Sequence, residues 1–160
     1  MLDGVTMHLP ANAIRGIAGE GRSTLLRAVY GLLAPESGRI TAYGHPLRRR
    51  DMGYLEADPH FWPGLTARDC IGLVGRYSPA SDPAPLLRRL PVAQDAEAAA
   101  ASAAEQKRLA LVLLLMQRKR ILLLDEPFRG LDNESIFAVQ QLILPLGTEG
   151  RTMHVEAASL

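Results

Sequence analysis

Apolar residues along this chain recur in two periods. Short apolar runs near residues 2–9, 13–18, 39–43, 52–55, 121–124 and 151–155 read as strands. Between them, apolar positions spaced for one face of a helix fall near residues 23–33, 67–77, 85–90, 96–117 and 134–144. Helical patterns separated by short apolar runs predict an α/β domain with a mostly parallel sheet flanked by helices. Ile121-Leu122-Leu123-Leu124 shows no polar alternation, as expected of a strand covered on both faces. Residues 78–95, rich in Pro, Ala and Ser, interrupt the pattern and read as a helical insertion joined by loops. Residues 98–104 are almost entirely Ala and Ser, a good helix-forming stretch with little side chain to pack.

Composition narrows the classes. The chain has 160 residues, enough for one domain with a real core. It is 48% hydrophobic and 22% charged, which argues against disorder. A formal net charge of +1 gives no global reason to expect nucleic acid or an anionic membrane as partner. Arg48-Arg49-Arg50 is a local exception that reads as a solvated loop between strands. Cys70 is the single cysteine, so one chain can form neither a disulfide nor a cysteine metal site, which suits a reducing compartment. His8, His45, His60 and His154 are too widely spaced to form a local ligand pair. Met1-Leu2-Asp3-Gly4 lacks the basic and apolar regions of a signal peptide. The longest apolar run, Leu109 to Met116, is far shorter than the roughly 20 residues a membrane span needs. Any link to a membrane is therefore expected to come through a partner.

Two segments carry chemistry. In the first, Gly16-Ile17-Ala18-Gly19-Glu20-Gly21-Arg22-Ser23-Thr24 follows an apolar strand and opens a helix. Glycines let backbone N–H groups curl around a phosphate, and a helix N-terminus adds partial positive charge. A Ser after the basic residue can hold Mg²⁺. Read literally, Gly16-x4-Gly21 then Arg22-Ser23 has P-loop spacing with Arg where Lys belongs; an ordinary strand-to-helix turn would carry similar glycines. In the second, Ile121-Leu122-Leu123-Leu124-Asp125-Glu126-Pro127 is an apolar strand ending in two carboxylates. A buried strand delivers acids to the edge where α/β folds place ligand chemistry. Asp125 can support Mg²⁺ and Glu126 can polarise water, unless both only cap the following turn.

Together and in this order, the two segments resemble the ABC (ATP-binding cassette) ATPases, and the resemblance spans nearly the whole chain. Leu2-Asp3-Gly4-Val5 and Pro10 to Glu20 look like the family's opening strands, Ser23 to Arg27 like its first helix, and Gly31 to Ile40 like the turn after it. Tyr54-Leu55 and Leu65 to Asp69 flank the Q-loop region. Ala101-Ser102-Ala103-Ala104-Glu105-Gln106-Lys107-Arg108 resembles the signature helix, and Asp125 to Asp132 resembles Walker B running into the D-loop.

The resemblance implies one domain over residues 1–160, with a helical subdomain inserted at about 67–119 and an end at Leu160 that falls short of the family's closing elements. It implies an ATPase energising transport, with ATP and Mg²⁺ as cofactors. Gly19, Glu20, Gly21, Arg22, Ser23 and Thr24 would bind phosphates, Ser23 and Asp125 the metal, and Glu126 would act on water. Ser102 would reach ATP held by a second ABC ATPase subunit. A transmembrane permease subunit would be the other partner, placing the chain at the cytoplasmic face of a membrane. Phe61-Trp62-Pro63 would either meet that permease or anchor the helical insertion.

The departures from the family pattern fall on ATP contacts. Alignment of residues 10–20 leaves three residues missing between Glu20 and Gly21. Ala103 and Ala104 stand at the signature glycines, Ala57 at the Q-loop glutamine, and Ala158 near the switch histidine. These changes imply an alternative role, a non-catalytic cassette serving as a structural or regulatory partner.

Overall fold

A computed structural model describes residues 4–6, 14–17, 19–42, 45–79, 81–148 and 152–155. Four strands, β1 (Ile14–Gly16), β4 (Met52–Leu55), β5 (Ile121–Leu124) and β6 (Thr152–Val155), form one sheet in the order β1-β6-β5-β4. Every pairing in it is parallel. β2 (Thr41–Ala42) and β3 (His45–Pro46) make a separate antiparallel ribbon. The helices are α1 (Arg22–Tyr30), α2 (Ala67–Tyr77), α3 (Ala84–Arg89), α4 (Ala103–Met116) and α5 (Asn133–Thr148). α2, α3 and α4 all lie in sequence between β4 and β5.

The unalternating β5 is explained by its two covers. Leu123 joins Leu26 of α1 and Met52 of β4 in one apolar cluster, with Ile121 and Tyr54 packed against it. Leu122 and Leu124 point the other way, into a larger cluster with Ile71 of α2, Leu111 and Leu115 of α4, and Ile143 of α5. Leu122, Leu123 and Leu124 are each at most 1% exposed. Burial of each contributes about 1.5–3 kcal/mol. Gly53 of β4 lies where α4 comes closest. A Cβ there would collide with Leu114 and stand 3.0 Å from Leu122 Cδ2, so any larger residue would make these leucine side chains shift.

Several element boundaries differ from the sequence expectation. Within the expected strand over 2–9, residues 4–6 are not in a strand, and Gly4 turns the chain with φ of 60°. The rest of that segment lies outside the described residues. The strand expected over 13–18 is confined to Ile14–Gly16 among the described residues. α1 stops at Tyr30 and not near Leu33, because Gly31 caps it while the Leu32 N–H bonds back to the Arg27 carbonyl at 2.8 Å. The helix expected over 96–117 is broken. Ala98–Ala100 form a 3-10 turn, and Ser102 caps α4 by a capping box with Glu105. Helix propensity over the alanines yields there to a bridge between Thr66 and Glu97 and to a bond from the Ala98 N–H to the Leu65 carbonyl, 2.8 Å. α5 runs on through Pro145 to Thr148. Leu146 packs on the same core as Val139 and Ile143, which offsets part of a proline penalty of about 3 kcal/mol. The strand expected over 39–43 is Thr41–Ala42 among the described residues, and its partner β3 was not visible in the periodicity.

Arg49 and Arg50 of the basic run lie in a 3-10 turn before β4. Arg49 is more than a solvated charge: it donates to the Gly31 carbonyl and stacks 5.8 Å from the Tyr30 ring centroid. It thereby fastens that loop to the end of α1.

Candidate functional site

Register across the sheet decides where the site forms. Gly16 pairs with Val155, Val155 with Leu124, and Leu124 with Leu55, so the carboxyl ends of four parallel strands are level. The connections leaving β1, β4 and β5 begin at that edge, the place where open α/β sheets bind ligands.

After β1, five residues (17–21) lead into α1. Gly21, the residue before the helix, is left-handed at φ 80°, and no side chain caps the helix behind it. Gly21 thus offers the first turn of α1 no side-chain cap, and a helix N-terminus at this edge suits an anion. Gly19 and Glu20 lie in the connecting turn, and both are exposed. Thr24 is on the exposed side of α1.

Ser23, the second residue of α1, donates its hydroxyl to Asp125 Oδ1 at 3.1 Å. Tyr54 of β4 donates to the other oxygen, Oδ2, at 3.3 Å. Asp125 is fully buried, so these two hydroxyls satisfy polar oxygens that would otherwise be costly to desolvate. Burial first, offset by a bond from Arg27, and then the charge of Asp125 push the Tyr54 phenol up to about 12. It remains a donor at neutral pH. Among the described residues no group of three or more His, Cys, Asp or Glu could hold a metal. A hydroxyl and one carboxylate side by side nevertheless suit Mg²⁺, which takes few protein ligands and fills its sphere with phosphate oxygens and water.

Glu126 stands next to this pair in a left-handed backbone, φ 45°. Its carboxylate lies between two guanidinium groups. Arg22 Nη2 is 4.0 Å from Oε1 and Arg129 Nη1 is 3.0 Å from Oε2. Arg129 also reaches Asp58 at 3.4 Å, tying the ends of β4 and β5 together. Glu126 is thus at the edge, but engaged.

The ABC transporter family model matches residues 2–129. The chain belongs to the ABC transporter ATP-binding family. It is 37% identical over 152 residues to an aliphatic sulfonates import ATP-binding protein of Pseudomonas entomophila (strain L48), covering 89% of this chain and 56% of that one. It is 28% identical over 167 residues to a lantibiotic transport ATP-binding protein of Streptococcus pyogenes, covering 98% of this chain and 73% of the relative. A Nod factor export ATP-binding protein of Paraburkholderia xenovorans (strain LB400) matches at 29% identity. The chain spans 56% of the length of the sulfonate and Nod factor relatives. The ATP-binding subunit of an ABC transporter superposes with a TM-score of 0.81 at 23% identity, over 95% of this chain and 71% of that one. A Clostridium perfringens component of an ABC transporter complex gives 0.70 at 23% identity, over 99% and 72%. These likenesses show the same fold.

The remaining positions of this ABC cassette are distributed unevenly. Ser102 sits at the N-terminus of α4, but its hydroxyl donates to Glu105 Oε2 at 2.9 Å and accepts from the Glu105 N–H at 3.3 Å. The structure does not bring it to Asp125 or Glu126 through any hydrogen bond among the described residues. Ala57 follows β4 and offers the edge only its carbonyl. Ala158 and His8 lie outside the described residues, as does the side chain of His154 on β6. The Phe61-Trp62 pair divides: Phe61 packs against the larger core, whereas Trp62 is 78% exposed.

Sequence reasoning missed Lys107. It is 2% exposed in α4, and its ammonium donates to the carbonyls of Glu56 (3.2 Å), Ala57 and Glu126 (3.2 Å). Burial pulls its pKa down, while Asp58, Asp125 and Glu126 push it back up. A signal was present. Lys107, Leu111 and Leu115 recur at i, i+4 and i+8, so a lysine stands in the inward stripe of the helix.

Proposed function

We propose that the chain is the nucleotide-binding part of an ABC transporter, taking Mg-ATP at the carboxyl edge of its sheet and coupling its hydrolysis to movement of a substrate across a membrane. The observation that carries this reading is the 3.1 Å contact between Ser23 and Asp125, which brings the phosphate loop and the acid strand to one point. The N–H groups of residues 19–24 bind phosphates, with Arg22 supplying positive charge. Ser23 and Asp125 hold Mg²⁺, which when bound neutralises charge on the phosphate oxygens. Glu126 orients water once one of its guanidinium partners lets go. Ser102 serves a nucleotide on a second cassette.

The whole chain is one cassette domain in this reading, with residues 67–119 as its helical subdomain. No described helix is long and apolar enough to cross a membrane, so a permease partner supplies the span. Phe61 lines a cleft of about 340 Å³ with Tyr30, Tyr54 and His60, and exposed Trp62 flanks it. An apolar element of the permease would meet the chain there, on the cytoplasmic side.

Calorimetric titration with Mg-ATP, with phosphate release followed on the same sample, tests the reading. Micromolar binding with turnover, and loss of turnover but not of binding in Glu126→Gln, are expected. Turnover unchanged in Glu126→Gln removes Glu126 from its role. One set of observations favours a second reading, a cassette that no longer hydrolyses ATP: the connection from β1 to α1 has five residues, Ala57 brings no side-chain amide, and Glu126 is held by two arginines. Absence of binding by the folded chain at millimolar ATP selects it.

A further inference from the structure

α4 begins after Ser102, and a single buried group joins it to the segments that follow β4 and β5. An ammonium has three donors and no acceptor. Lys107 Nζ meets three backbone carbonyls, those of Glu56 and Ala57 after β4 and that of Glu126 after β5. Donors and acceptors match in number, which a 2% exposed cation needs in order to remain charged. The Glu126 carbonyl is also the acceptor for the Arg129 N–H at 3.1 Å, and the Asp125 N–H bonds to the Leu55 carbonyl at 3.0 Å. The peptide around the left-handed Glu126 is therefore fixed from the helix side by Lys107 and from the sheet side by β4.

We infer that Lys107 is a positioning residue: it holds the Glu126 peptide in its left-handed conformation and locks α4 to the carboxyl edge, so that Ser102, Ala57 and Glu126 shift as one body. Three features carry this. Its acceptors are all backbone, so it fixes main chain and not a partner side chain. They belong to the two segments that flank Asp125. Glu126, a residue with a Cβ at φ 45°, stays in a sparsely populated region only where its surroundings over-determine it. Burial among carbonyls leaves the ammonium no access to a ligand, so its action runs through Glu126. The role in hydrolysis rests on the function proposed above; the fixing of the backbone does not.

The test uses the whole chain and two independent readouts. In Lys107→Met, which keeps most of the apolar stem and removes all donors, amide hydrogen exchange at Asp125 and Arg129 rises about tenfold or more, while the amides of α1 are unchanged. Lys107→Gln, which restores an amide donor, gives an intermediate rate. If exchange at Asp125 and Arg129 stays as in the wild type, or if every helix loosens equally, Lys107 is an ordinary buried side chain and the inference falls. Should Lys107→Met not fold, nitrogen-15 spectra of the unaltered chain decide instead. A slowly exchanging lysine ammonium signal that disappears in Lys107→Gln is expected, and a rapidly exchanging one overturns the assignment. In a chain that turns over ATP, Lys107→Met lowers kcat about tenfold with KM changed less than about twofold, and Lys107→Gln recovers part of it. A wild type without turnover removes the proposed function but leaves the exchange result standing.

Discussion

Ser23 and Asp125, 102 positions apart in the chain, are joined by a hydroxyl-to-carboxylate bond of 3.1 Å. The contact exists because α1 starts at the end of β1 while Asp125 follows β5, and only β6 lies between those two strands in the sheet. Tyr54 occupies the second oxygen of Asp125, so the carboxylate is fixed in direction before any ligand arrives.

If both Ser23 and Asp125 serve the metal, removing the hydroxyl affects only the Mg²⁺-dependent part of nucleotide binding. Ser23→Ala is expected to weaken Mg-ATP about tenfold, the effect of ~1.4 kcal/mol. Binding of ATP in the presence of a chelator should not change. An equal loss with and without Mg²⁺ would place Ser23 on the phosphates instead.

The connection of residues 17–21 limits how many N–H groups can surround a phosphate. Inserting Asn-Gly-Ala between Glu20 and Gly21, together with Arg22→Lys, should tighten ATP binding. Two regained bonds to a charged group, at about 1.5–3 kcal/mol each, amount to roughly a hundredfold or more. Titration of the variant beside the parent measures it, and equal affinities would mean that loop length is not limiting.

The Thr66–Asp69 capping box at the start of α2 gives a stability prediction with a pH sign. The Asp69 carboxylate accepts the Thr66 N–H at 2.9 Å, and the Thr66 hydroxyl accepts the Asp69 N–H at 3.1 Å. The Thr66 hydroxyl first, and its backbone N–H second, hold the Asp69 carboxyl below its ordinary value of 3.8. The folded state thus binds that proton more weakly than the unfolded chain does. The contribution is present above the ordinary value and is lost as pH falls through the folded one. Thr66→Ala should cost about 1 kcal/mol near neutrality, a fall in Tm of roughly 2–4 °C. The gap between parent and variant should shrink once the pH drops below the folded pKa of Asp69. A gap that is constant with pH argues against the carboxylate as the cause.

Gly53→Ala tests the packing of α4 on β4. The added methyl would press on Leu114 and on Leu122, 3.0 Å away, inside a closed core. A loss of about 1–3 kcal/mol is expected from overpacking, read as a lower midpoint in urea at unchanged slope. Wild-type stability would show that α4 yields there at no cost.

Local signals in the sequence determined a good part of this. β4 and β5 were legible from continuous apolar runs bounded by polar residues, and α2 from its spacing, all with the bounds the structure shows. The Gly-rich turn and the Asp125-Glu126 pair were legible because their chemistry is written in adjacent residues. Boundaries set by distant contacts were not. The alanine stretch before α4 gives way to a bridge with Thr66, and α5 crosses Pro145 because Leu146 finds the core. Only the tertiary structure decided that Glu126 is held between Arg22 and Arg129, and that Lys107 turns inward onto three carbonyls. The physical reason is the same for both. Periodicity reports which face of an element is buried, but the distant partners, Arg22 for Glu126 and the carbonyls after β4 and β5 for Lys107, are chosen by how elements far apart in sequence pack together.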